Sequence, residues 1–104
     1  MGQTPTPGAQ LAWGNVDCEG DADSVDALQD LRFVAKLQPI QNPNCPIIGT
    51  IVEVVGASPH MWGDVDCGGG VDSLDALRIL RHVARLPNAD IAGCPRMGEL
   101  YEVR

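Results

Sequence analysis

Two stretches of the chain carry apolar residues at the spacing of an α-helix. The apolar positions are Leu28, Leu31, Val34 and Ala35 in the first stretch and Leu77, Leu80, Val83 and Ala84 in the second. This period predicts two helices, each with one buried stripe. We expect them to begin at Asp23 and Asp72, because aspartate suits the N-cap and a second aspartate follows three residues later. Proline should end them at Gln38-Pro39 and Leu86-Pro87.

Two further stretches, Thr50 to Val55 and Glu99 to Arg104, are rich in residues that favour β-structure. Alternation places one pair from each stretch on a common face, Val52 with Val54 and Tyr101 with Val103. Either stretch can remain irregular, but if both are extended we expect them to pair with each other as a small ribbon.

A shift of 49 residues aligns the two halves of the chain. Residues 13–55 match residues 62–104 without a gap, and 21 of the 43 aligned positions are identical. We therefore predict two copies of one unit. Residues 1–11, rich in Thr, Pro and Gly, are assigned to a linker, and residues 12–104 to a single domain. The predicted fold class is mainly α, with two loop-helix repeats related by a pseudo-two-fold axis and a possible short β-ribbon.

Charge and length exclude several classes of function. The 104 residues carry a formal net charge of −7, which argues against a nucleic-acid partner and against an anionic membrane surface. No apolar run approaches the roughly 18 residues that a membrane-spanning helix needs. No nucleophile, base and orienting group recur at a recognisable spacing, so we do not expect an enzyme.

Much of the acid lies in two twelve-residue windows, one ahead of each predicted helix. They run from Asn15 to Asp26 and from Asp64 to Asp75. Both place oxygen-bearing side chains at positions one, three, nine and twelve, and both have a glycine at position six for a sharp turn. This is the ligand pattern of a calcium loop. The candidate ligands are Asn15, Asp17, Glu19, Asp21, Asp23 and Asp26 in the first window and Asp64, Asp66, Gly70, Asp72 and Asp75 in the second.

The two windows predict two bound calcium ions, with Asp21 and Gly70 contributing backbone carbonyls. They differ at the fifth position, where the first window has Glu19 and the second has Gly68. Because glycine has no side-chain oxygen, we expect a water at that position and weaker binding at the second site.

The four cysteines also repeat with the same shift. Zinc sites usually draw on close pairs of cysteines, which this chain lacks. Repeat symmetry favours Cys18 with Cys45 and Cys67 with Cys94 over the other two pairings, and disulfides over four reduced thiols. Each bridge would close a loop of about 28 residues and contribute roughly 3.5 kcal/mol on the chain-entropy model. Disulfides in so short a chain indicate a secreted, extracellular protein.

A calcium loop that ends in aspartate, lacks an entering helix and is duplicated ahead of Leu-Arg-x-Val-Ala resembles the type I dockerin family of secreted bacterial proteins. The resemblance covers Trp13 to about Leu37 and Trp62 to about Leu86. It implies a calcium-dependent module that docks its parent protein onto a cohesin domain. The partner-binding positions it implies are Ser24, Val25, Leu31, Arg32 and Lys36 in the first copy and Ser73, Leu74, Leu80, Arg81 and Arg85 in the second.

Other interpretations of these residues remain open. The basic residues can form a solvated face that complements the helix dipoles, and for Leu31 and Leu80 a core role is favoured over an interface. Trp13 and Trp62 are predicted as core side chains rather than ligand platforms. The whole chain can instead be a calcium- and disulfide-stabilised structural repeat that associates with copies of itself, through Ile47 to Val55 or the Pro-rich linker.

Overall fold

The computed structural model of the protein describes residues 10–89 and 91–103. Its helices are α1 (Ser24–Val34) and α2 (Ser73–Val83). Its strands are β1 (Gln10–Ala12), β2 (Ile51–Val52), β3 (His60–Met61) and β4 (Leu100–Glu102). Of the linker assigned to residues 1–11, residues 1–9 lie outside the described part, whereas Gln10 and Leu11 belong to β1.

The prediction of a mainly helical fold class is wrong. Helix accounts for 24% and strand for 13% of the described residues, which form a small mixed fold of two helices and two small antiparallel sheets. The helical period identified both helices. The segment ahead of each loop and the segment near the end of each copy form strands, however, and the periodicity of the helices contains no information about them.

Each helix begins where the sequence predicts. The side chains of Asp23 and Asp72 are the N-caps, and the aspartate three residues later accepts a hydrogen bond from the N-cap backbone, which completes a capping box in both copies. Position twelve of each loop is thus also the third residue of a helix. Loop and helix are therefore built on the same carboxylates.

The predicted helix ends at Gln38-Pro39 and Leu86-Pro87 are too late. Both helices stop at valine and are closed by a residue in the left-handed region, Lys36 with φ +65° and Arg85 with φ +60°. The backbone N–H of Leu37 donates to the carbonyl of Arg32, and that of Lys36 to the carbonyl of Phe33. This is a Schellman motif, repeated in the second copy, and it ends the helix before any proline is reached.

The two β-prone stretches do not form a ribbon with each other. Strand β1 pairs antiparallel with β4, and β2 pairs antiparallel with β3. The last strand of each copy therefore pairs with the segment ahead of the loop in the other copy. Between the two predicted stretches there is one bridge, Val54 with Val103, in the described part of the chain. Both valines are fully buried, as the alternation predicts.

Two tryptophans occupy the centre of the core. Trp13 and Trp62 are each 1% exposed and meet edge to face, with ring centroids 5.9 Å apart. The indole N–H of Trp13 donates to the carbonyl of Val65, and that of Trp62 to the carbonyl of Val16. Each tryptophan therefore supports the loop of the other copy, and the prediction that both are core residues is confirmed.

The apolar stripe of each helix is not buried as we expected. The six large apolar residues predicted to be buried, Leu28, Leu31, Val34, Leu77, Leu80 and Val83, are between 39% and 51% exposed. The helices contact each other, but their buried side chains are others, among them Ala27 and Asp30 in α1 and Ala76 and Ile79 in α2. A period of 3.6 shows that a helix has two faces. It does not show which face the rest of the protein covers.

Both predicted disulfides are present, Cys18 with Cys45 and Cys67 with Cys94. Each ties a loop to the segment that follows its own helix. Two disulfides in a domain of this size are compatible with an oxidising compartment. Neither described helix is long and apolar enough to cross a membrane.

Candidate metal centre

The second loop brings three carboxylates together. One oxygen from each of Asp64, Asp66 and Asp75 lies within 4.8 Å of the others. Asp64 and Asp75 are buried, and Asp66 is half-buried. An all-oxygen donor set of this kind can hold a hard metal ion, although it does not by itself select calcium. Of the other predicted ligands, Gly70 is half-buried, whereas Asp72 is exposed and caps α2.

Backbone N–H groups hold these carboxylates in place. The oxygens of Asp64 accept from the N–H groups of Gly68 and Gly69, at 3.0 and 2.9 Å. The oxygens of Asp75 accept from the N–H groups of Asp66 and Asp72, at 3.0 and 2.8 Å. Gly69 has φ +106°, a conformation that suits glycine, and it supplies the turn predicted at position six.

Without a cation, this cluster retains protons. Burial raises the pKa of Asp75 to about 8, and burial followed by the hydrogen bond to Asp66 raises the pKa of Asp64. At Asp66, burial also acts to raise the pKa, but side-chain hydrogen bonds to Asp64 and Asp75 outweigh it and the pKa is lowered. At neutral pH, the three carboxylates therefore all ionise only when a positive charge joins them.

The first loop has the same frame and one further indication of a cation. Asn15, at position one, is 4% exposed, and its amide nitrogen donates to the carbonyl of Gly20 at 2.8 Å. Its amide oxygen is buried and has no hydrogen-bond partner among the described residues. Buried oxygens are almost always paired. An acceptor left open at the first ligand position of a calcium-type loop fits a bound cation.

The remaining ligands of the first loop lie at different depths. Asp17 and Asp26 are buried, whereas Glu19, Asp21 and Asp23 are exposed. The carboxylate of Asp26 accepts from the N–H groups of Asp17 and Asp23, at 3.1 and 2.7 Å. Burial raises the pKa of Asp26 to about 8, although those two backbone hydrogen bonds oppose the shift. Among the described residues, three carboxylates converge in the second loop but not in the first. Asp23 also serves as the N-cap of α1.

Sequence reasoning missed Asp30, a buried acid between the helices. Asp30 is 0% exposed, and neither of its oxygens has a hydrogen-bond partner among the described residues. Burial, followed by the negative charge of Asp75, raises its pKa to about 9. The equivalent residue of the second copy is Ile79, which is fully buried. The sequence shows this difference, an aspartate in the first copy where the second has isoleucine, and it could have indicated that position 30 is buried.

The residues implied as partner-binding lie on the outer face of the helices. Ser24, Val25, Leu31, Lys36, Ser73, Leu74, Leu80 and Arg85 are exposed. Arg32 and Arg81 are half-buried, and their guanidinium groups donate to the carbonyls of Gln38 and Pro87. The core role favoured for Leu31 and Leu80 is wrong. Leu28 and Leu77, which we did not include, lie on the same face at 50% and 51% exposure.

No model of a protein family matches the chain, and no curated protein or solved structure matches it. The resemblance to type I dockerins therefore rests on the residues of the loops and helices alone.

Proposed function

We propose that this protein is a non-catalytic calcium-binding docking module, which anchors a secreted parent protein to a cohesin-type partner. The observation that carries the proposal is the exposed apolar face of α1 and α2. Six large apolar residues lie along it, and Leu28, Leu31, Val34, Leu77, Leu80 and Val83 are between 39% and 51% exposed. An apolar face of this extent on a small protein is typical of an interaction surface.

Charge on the same face supports a protein partner. Five of the seven basic residues lie on the helices or just beyond them, in a chain whose net charge is −7. Two of them, Lys36 and Arg85, occupy the left-handed position where glycine is preferred. A non-glycine residue there costs roughly 1 kcal/mol. Because both copies keep a basic residue at this unfavourable position, we infer that the side chains of Lys36 and Arg85 have a role in binding. A partner surface with apolar groups surrounded by acidic residues would complement them.

The loops supply the fold on which this face depends. We propose that both bind calcium, because three predicted ligands of the second loop converge and because the open oxygen of Asn15 in the first loop suits a cation. Calcium would cancel the repulsion among carboxylates at the start of each helix. Cation binding and the position of the helices are therefore coupled.

Self-association is a second candidate, favoured by a separate observation. Ile51 and Leu100 are equivalent in the repeat, lie in β2 and β4, and are 67% and 65% exposed. Each sheet has two strands in the described structure. Exposed edges of this kind can accept a strand from another copy.

Paired substitutions separate the two candidates. Leu28→Ser with Leu77→Ser removes apolar area from the helix face, and Ile51→Ser with Leu100→Ser removes it from the sheets. We would measure binding to a panel of immobilised cohesin domains, and molar mass by light scattering, in calcium and in EGTA. The docking proposal expects calcium-dependent binding that the helix pair abolishes and the sheet pair leaves intact. Calcium-driven oligomers that only the sheet pair dissolves, without cohesin binding, would replace it with self-association.

A further inference from the structure

The side chain of Asn42, in the segment after α1, is bound to the first loop. Its amide nitrogen donates to Oε2 of Glu19 at 2.7 Å. Its amide oxygen accepts from the backbone N–H of Asn44 at 2.9 Å, so both ends of the amide are engaged and its orientation is fixed. The backbone N–H of Asn42 donates to the carbonyl of Asp17 at 3.0 Å. Asn42 therefore contacts two of the predicted ligand residues.

The second copy lacks both halves of this contact. Gly68 stands at the place of Glu19, and Ile91 stands at the place of Asn42. The segment is still attached to the loop in the second copy, because Cys67 and Cys94 form a disulfide there. The amide is thus not needed to hold the segment against the loop. It occurs only where the loop has a fifth-position carboxylate.

Glu19 is the predicted ligand that most needs such support. It is exposed, and its long side chain samples many rotamers unless something holds it. The hydrogen bond from Asn42 occupies one carboxylate oxygen and leaves the other without a hydrogen-bond partner among the described residues. An amide N–H₂ suits this role because it donates without neutralising the carboxylate.

We propose that Asn42 is a positioning residue of the first cation site, which holds the Glu19 carboxylate so that its second oxygen binds the ion. The inference rests on the proposed cation binding. Outer partners of this kind commonly change metal affinity by about tenfold or more. Asn42 would therefore add to the difference in affinity between the two loops.

Terbium provides the test, since it takes the place of calcium in oxygen sites and is excited by nearby tryptophan. Asn42→Ala is expected to weaken one of two Tb³⁺ sites about tenfold, with competition by Ca²⁺ as a second reading. Luminescence lifetimes in H₂O and D₂O report the waters bound to the ion, and that site should gain about one. Glu19→Ala should give the same two changes, and adding Asn42→Ala to it should give no more.

The second copy offers the matched control and a gain of function. Ile91→Asn alone should leave both affinities unchanged, because no carboxylate faces it. In the background of Gly68→Glu, the same Ile91→Asn change should strengthen the second site by about tenfold and remove about one bound water. In Gly68→Glu the new Cβ would lie 2.9 Å from Oδ1 of Asp66, so the substitution itself disturbs that carboxylate. The effect of Ile91→Asn is therefore measured relative to the Gly68→Glu variant.

The outcomes separate this inference from the proposed function. A wild-type protein that binds neither Tb³⁺ nor Ca²⁺ would refute both. Two sites in the wild type with an unchanged Asn42→Ala variant would overturn the role of Asn42 alone. An equal loss from Asn42→Ala in the absence of Glu19 would show that Asn42 only stabilises the loop, and would also overturn it.

Discussion

Asp30 gives a test of the structure that needs no partner and no metal. Its carboxyl group is fully buried, and neither oxygen has a hydrogen-bond partner in the described part of the chain. Burial raises its pKa to about 9, against 3.8 for the unperturbed group. Asp30→Asn keeps the shape of the side chain but cannot ionise. We expect this variant to be more stable than the wild type at neutral pH.

The sign and size of the effect follow from proton linkage. Between pH 3.8 and pH 9 the folded state holds a proton at Asp30 that the unfolded state has lost, so wild-type stability falls as the pH rises. Each pH unit is worth about 1.4 kcal/mol, which gives about 4 kcal/mol at pH 7. The asparagine variant lacks this loss. Its advantage should be near zero at pH 4 and grow towards pH 8.

The measurement is denaturant unfolding in EGTA with both disulfides intact, at several pH values from 4 to 8. Asp26 and Asp75 also have a raised pKa, so the wild-type profile contains their contributions, and the difference between variant and wild type isolates Asp30. Glu53→Gln, at an exposed position, is the control for the loss of one negative charge. Parallel profiles for Asp30→Asn and the wild type would refute the buried, protonated carboxyl.

Three further predictions concern a charge beside the second loop, the residues that end the helices, and a buried hydrogen bond. Arg78 lines a groove of about 410 Å³ together with Asp66 and lowers the pKa of that carboxylate. Arg78→Gln, the residue of the first copy, should strengthen the second cation site about fivefold in calorimetry, for a charge effect on the order of 1 kcal/mol; unchanged affinity would contradict it. Lys36→Gly with Arg85→Gly should raise stability by about 1 kcal/mol per site in denaturant unfolding while weakening partner binding, and unchanged binding would remove these residues from the docking face. Trp13→Phe should lower unfolding stability by about 1 to 3 kcal/mol, because it leaves the buried carbonyl of Val65 without its donor; no loss would contradict that contact.

The features that the sequence predicted correctly depend on neighbouring residues. An N-cap aspartate with another three residues later predicts a helix start whatever surrounds it, and both capping boxes are present. The glycine at position six predicts a turn, and Gly20 and Gly69 both have positive φ. The disulfide pairing was also predicted correctly, because the duplication favours one of the three possible pairings. For the helix starts and the turns the information lies within one copy, whereas the disulfide pairing needed the comparison of the two.

Several of the features that it missed depend on contacts between the copies. The burial of a helix face is decided by what packs on it, and here Ala27 and Ala76 face inward while Leu28 and Leu77 face out. Pairing of β1 with β4 is a contact between the two ends of the described chain. Neither a helical period nor β-propensity specifies such a partner. Asp30 was missed for the same reason, since its environment is formed largely by the other copy.

These crossed contacts mean that one copy is not a folding unit. Each tryptophan donates its indole N–H to the loop of the other copy, and each two-stranded sheet takes one strand from each copy. A single repeat would expose its tryptophan and leave both of its strands unpaired, so the duplication has to be kept whole. Differences between the copies at the cation loops or beside them include Asn15 against Asp64, Glu19 against Gly68, Gln29 against Arg78 and Asp30 against Ile79. A shared frame thus constrains the core, while each loop can acquire its own affinity for the ion.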